Sequence, residues 1–155
     1  MVLILAILVV RALALLPAQP AASGRQMEVH LAKARELLKQ NRPDLAIGEF
    51  RAIVALDANN GEAHANLGVL LFFQGDYAKA APELREALRL KPELWKIQAL
   101  VGLSERRMGQ TEGARKSLEH AFPKLEEEKL RVEVGMELTE LRCITPAATW
   151  RRLRA

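Results

Sequence analysis

Few side chains in this sequence could make or break bonds: three histidines, one cysteine and one tyrosine among 155 residues. His30 and His64 stand thirty-four residues apart, but a metal shared between them would need further ligands that the sequence does not place nearby, so a packing role is expected. His120 is isolated, and Glu126, Glu127 and Glu128 would point in different directions on a helix, as solvated acids do rather than a cation cage. Cys143 has no second thiol with which to form a disulfide or a paired-thiolate zinc site. Neither a Ser-His-acid nor a Cys-His arrangement, a phosphate-cradling glycine loop or a metal-binding helix motif occurs. The expectation is a chain that is not an enzyme and uses no metal and no cofactor.

The elements that would position such residues follow from composition. Half of the residues are hydrophobic, enough for one ordinary domain to bury a core. Aromatics are only 5%, and Ala, Leu, Glu, Lys and Arg dominate, which favours helices over strands. An all-α fold is expected. The net charge of +4 is unevenly distributed: Arg142, Arg151, Arg152 and Arg154 crowd the last fourteen residues and Arg11 sits in an apolar run, leaving 18 basic against 19 acidic residues elsewhere. A balanced body of this kind argues against a nucleic-acid partner.

Residues 1–23 read as a signal peptide. Fifteen of the sixteen residues from Met1 to Leu16 are apolar, followed by Pro17 and the small-residue stretch Ala18 to Gly24, with Ala21 and Ser23 at the spacing a signal peptidase reads. The run is short for a membrane span and carries Arg11 in its middle, so membrane contact is expected to be transient. In a bacterial source this implies an exported, periplasmic or secreted protein. The alternatives are a misassigned start with a cytoplasmic protein, or attachment to the membrane at the N-terminus.

The body of the sequence repeats. A shift of thirty-four places brings Ala46, Ala80 and Ala114 into one column, Phe50, Leu84 and Leu118 into a second, Ile53, Ala87 and Ala121 into a third, and Leu67-Gly68 over Val101-Gly102. Turn residues Asn41-Arg42, Gly75-Asp76 and Gly109-Gln110 stay in phase, and Ala58 matches Pro92. Apolar residues three and four apart within each unit predict two amphipathic helices joined by a tight turn, and a period of this length predicts a solenoid. Gly68 is expected to face Ala80 and Ala87 where the helices cross, with Ala34 and Gly102 as its equivalents. Pro82, inside the second helix of unit two, predicts a local kink.

Leu67, Gly68, Leu71, Gly75, Asp76, Tyr77, Ala80, Leu84, Ala87 and Pro92 make unit two resemble the tetratricopeptide repeat family; units one and three depart from it at Lys33-Ala34 and at Glu105. The resemblance implies a right-handed superhelical α-solenoid of antiparallel helix hairpins, with units at 27–60, 61–94 and 95–128 and a partial fourth. It further implies that the first helices line a concave groove for a peptide or protein. The matching groove positions are Arg35 and Lys39; Asn66, Val69, Phe72 and Phe73; and Lys96, Leu103, Arg106 and Arg107. Their chemistry, an apolar middle with basic flanks, fits an acidic partner with an apolar anchor. The five-residue clamp by which some members grip a chaperone C-terminus is matched only by Asn66 and Lys96, with Leu31, Arg35 and Leu100 at the other places.

Residues 129–141 are expected to be the first helix of a partial fourth repeat or a capping helix. Leu130, Val132, Val134, Met136, Leu138 and Leu141 make it apolar on more than one side, which invites self-association. Residues 142–155 read as an irregular basic tail, or as a fourth repeat translated out of frame, an origin that the nucleotide sequence decides. The function expected is a non-catalytic protein-interaction scaffold; the alternative is a structural subunit of a larger membrane-associated or enzyme assembly.

Overall fold

A computed structural model describes residues 20–144, with the side chains of 23–143. The signal-peptide reading of 1–23 therefore falls almost wholly outside the described residues, and so does the tail beyond Ile144. Among the described residues there are seven α-helices and no strand: α1 (Pro20–Lys39), α2 (Pro43–Leu56), α3 (Gly61–Phe73), α4 (Tyr77–Leu90), α5 (Trp95–Arg107), α6 (Thr111–Ala121) and α7 (Glu128–Ile144), with a 3-10 turn at Phe122–Lys124 before α7. None of these helices is long and apolar enough to cross a membrane.

The helices form an α-solenoid. They pack most extensively as the pairs α1/α2, α3/α4 and α5/α6, and each pair leans on the next through α2/α3 and α4/α5. Second helices start at Pro43, Tyr77 and Thr111, thirty-four residues apart, and α3 and α5 start at the same interval. The turns that reverse the chain repeat too. Asn41, Gly75 and Gly109 all adopt positive φ, at 56°, 84° and 76°, a conformation that Gly and Asn tolerate best. Asp76 caps α4 by accepting from the Lys79 amide, and Asn60 caps α3 by accepting from the Ala63 amide at 2.9 Å.

The core is the set of repeated columns. Ala46, Ala80 and Ala114 are fully buried, and so are Leu84, Leu118, Ala87 and Ala121. At the helix crossing Gly68 faces Leu84 rather than Ala80 or Ala87: a Cβ there would lie 2.7 Å from Leu84 Cγ and 3.1 Å from its amide nitrogen. Gly102 meets Leu118 at the same distances, while unit one closes with fully buried Ala34. α4 runs unbroken through Pro82, which is exposed; the carbonyl that loses its donor belongs to exposed Ala78.

Two expectations need correction at the ends. α1 begins at Pro20, ahead of the expected unit boundary at Met27, because Pro suits a helix start, and it carries Gly24 in its interior; Ala21 and Ser23 thus lie in its first turns. α7 extends through Ile144, so the described part of the expected irregular tail, Arg142 to Ile144, is helical. α7 seats Val134, Leu138 and Leu141 in the core and leaves Val132 and Met136 exposed at 54% and 60%.

Candidate functional site

Of the first helices, α3 packs on α5 and α5 on α7, while α1 and α3 border one cavity, and the surface along this row is the candidate trough. The Arg106 guanidinium donates to Glu140 at 3.3 Å and bridges α5 and α7. Two cavities open along the helix N-termini. One, of about 270 Å³, is bounded by Met27, Glu28 and Leu31 of α1, by Phe50 and Ile53, and by Glu62 and Asn66 of α3. The next, of about 480 Å³, has Ala65, Leu94, Trp95, Ile97 and Leu125 as its apolar wall and Lys91, Lys96, Lys124, Glu62, Glu93 and Glu126 as its charged rim.

The residues expected to bind divide into three groups. Arg35 and Lys39 are exposed on α1 with no hydrogen bond or ion pair to any described residue. Asn66 and Val69 are half-buried on α3. Phe72 and Phe73 do not form one patch: Phe72 packs into the core edge and meets Tyr77 edge-on at 5.4 Å between ring centres. Phe73 is 77% exposed and leans over the start of α2 beside Pro43, Asp44 and Ile47. The two rings touch edge-on at 5.5 Å.

Unit three corrects the expectation most. Leu103 is only 1% exposed and belongs to the core. Arg106 and Arg107 are held by α7: Arg106 Nε and Arg107 each donate to Glu137 at 3.1 Å. Lys96 pairs with Glu127 at 2.7 Å, which holds the lysine above and the glutamate below its ordinary pKa through their hydrogen bond. The basic flank on this side is therefore answered by the chain's own carboxylates, and among the expected binding residues the cations that pair with no described residue are Arg35 and Lys39 of α1.

The histidines serve the scaffold. His30 Nδ1 lies 2.6 Å from Glu49 and His64 Nδ1 lies 2.7 Å from Glu83, so the same first-helix to second-helix contact recurs one unit on. His64 also reaches the Ala58 carbonyl at 3.1 Å. The glutamates were visible in the sequence as a second column at a constant offset of nineteen from the histidines. Glu105, the departure in unit three, is buried: it accepts from Arg85 of the preceding unit at 2.7 Å and from Ser117 at 2.9 Å. Among the described residues no group of three or more His, Cys, Asp or Glu could hold a metal ion, and no buried side-chain polar atom lacks a partner.

Comparison with known proteins agrees with this geometry. A family model described as tetratricopeptide repeat matches residues 31–94. The mouse protein named Protein O-mannosyl-transferase TMTC1 is 33% identical over 66 residues, which is 43% of this chain but 7% of that protein, so the chain spans a small fraction of its length. Among solved structures, the second TPR domain of human RPAP3 in complex with an HSP70 peptide superposes with a TM-score of 0.65 at 19% identity, covering 78% of this chain and 98% of that one. The Yersinia enterocolitica type III secretion chaperone SycD, in complex with a peptide of the translocator YopD, gives 0.65 at 16% identity, covering 75% and 92%. At these identities the superpositions establish the fold.

Proposed function

We infer from its membership of the tetratricopeptide repeat family that this chain is a protein-interaction scaffold without reaction chemistry of its own, which takes a peptide or protein partner in the trough of its first helices. The two structural relatives described above carry bound peptides, and this chain has a trough in the corresponding fold. The observation that carries the reading is the combination of Phe73, 77% exposed, with Arg35 and Lys39, which pair with no described residue. A large exposed ring gains contact area on binding, and unpaired cations favour an acidic partner that carries an apolar anchor. Replacing Phe73 with Ala and both Arg35 and Lys39 with Glu is expected to weaken capture of partners from the native host at least tenfold. The helical signal and melting temperature should stay at parental values, because all three side chains are exposed. Undiminished capture would place the binding surface elsewhere.

The apolar stretch from Met1 to Leu16 supports export to the periplasm or outside a bacterial cell, with membrane contact limited to that segment. Fractionation and N-terminal sequencing of the protein from its host test this; a chain retained in the cytoplasm with Met1 in place rejects it. A second reading, a subunit of a larger assembly or of a self-associated form, draws on exposed Val132 and Met136 of α7. Sedimentation of Val132→Glu/Met136→Glu against the parent tests self-association, which this reading requires the double substitution to reduce.

A further inference from the structure

α7 brings a third kind of chemistry to the trough. α5 and α7 start thirty-three residues apart and Val134-Gly135 repeats Val101-Gly102, so Glu133 follows Asn66 and Leu100, and Glu140 follows Phe73 and Arg107, in the columns of the first helices. Glu140 is 65% exposed at the side chain, and Glu133 pairs with no described residue. Along one row, the trough passes from Lys39 on α1 to Phe73 on α3, to Arg107 on α5, and to Glu140 on α7. Arg35 adds to the positive end and Glu133 to the negative end, while Arg106 and Arg107 sit between and offset part of the acidic charge. Like charges facing a ligand repel and opposite charges steer it, so a trough with unlike ends discriminates by the order of charges along the ligand.

Building on the scaffold reading above, we propose that the trough selects an extended bipolar peptide, with its acidic end against Arg35 and Lys39 of α1, its apolar anchor over α3, and its basic end against Glu133 and Glu140 of α7. Helices packed about 10 Å apart place α1 and α7 about 30 Å from each other. An extended chain covers that distance in about nine residues.

Three labelled nonapeptides with the same central Leu-Phe test the proposal: one with two glutamates at one end and two lysines at the other, one with glutamates at both ends, and one with lysines at both ends. The full chain should bind the bipolar peptide about fivefold more tightly than either of the others at low salt, as partly exposed charge pairs allow. Glu133→Lys/Glu140→Lys should shift the preference to the diacidic peptide, and Arg35→Glu/Lys39→Glu to the dibasic one. A spin label on the acidic end of the bipolar peptide should broaden amide signals of α1 and leave those of α7 sharp. Both variants change exposed or half-buried side chains, and an unchanged circular dichroism melt shows that they fold. Equal binding of all three peptides, or equal broadening at both ends, overturns the charge order while leaving the scaffold reading intact. Failure of every peptide to bind overturns both.

Discussion

At Gly68 and Gly102 a single hydrogen decides how closely two helices approach. Alanine favours a helix over glycine by about 1 kcal/mol, yet its methyl group would sit 2.7 Å from the Cγ of Leu84 or Leu118, with a backbone nitrogen at 3.1 Å behind it. Overpacking at such a site costs about 1 to 3 kcal/mol, so steric crowding wins. Gly68→Ala should lower the unfolding free energy in urea by about 1 kcal/mol or more. Gly48, inside α2 with nothing within 4 Å of the place a methyl group would take, gives the opposite sign: Gly48→Ala should raise stability by about 0.5 to 1 kcal/mol. Two changes of the same sign would contradict the packing described. Both glycines are plain in the sequence, but only Gly68 falls in a column with a small residue one unit away, and its contact with Leu84 rather than Ala80 depends on the helix crossing.

Between elements, charged contacts hold what the columns do not. Glu105 joins α4, α5 and α6 through Arg85 and Ser117, in the column where units one and two carry Leu37 and Leu71. A buried ion pair offsets much of its attraction by desolvation, and Arg85, half-exposed, can return to water. Glu105→Leu should therefore leave stability unchanged or raise it by up to about 1 kcal/mol, whereas Glu105→Ala should lower it by about 2 kcal/mol through the space left behind. Chemical melts of the two variants check the order. Exposed carboxylates act in a different pH range. Hydrogen bonds from Lys79, Arg89, Arg115 and Lys96 hold Asp76, Glu86, Glu112 and Glu127 below their ordinary pKa values. A group with a depressed folded pKa stabilises above its unfolded value and loses that contribution as protons bind, so stability should be flat near neutrality and fall as pH drops below about 4.5. A melting temperature that rises in that range would contradict the assignment.

For the whole molecule, the stacking was legible because repeat columns report which residues lack space: Ala46, Ala80 and Ala114 are alanine in every unit and fully buried in every unit. The residues expected along the first helices differ in how open they are. Arg35 and Lys39 are as open as their column implies, but Leu103, Arg106 and Arg107 occupy the same columns and are buried or engaged by α7. A column records equivalence of position and contains nothing about what covers the last unit. The next step is thirty-three residues rather than thirty-four, as Val101-Gly102 over Val134-Gly135 shows, and it leads to Glu133 and Glu140, the residues that give the far end its charge.

The recurrence of His30–Glu49 as His64–Glu83, one unit on and nearly at the same distance, has a consequence for how such a molecule can grow. A chain whose internal fastener recurs in successive modules can be lengthened by tandem duplication. A second copy of residues 61–94 inserted after the first would carry its own fastener, turn and crossing glycine. It would also meet at its leading edge a surface of the kind its original already presents to α5. Evolution could extend the reach of the molecule without redesigning its interior.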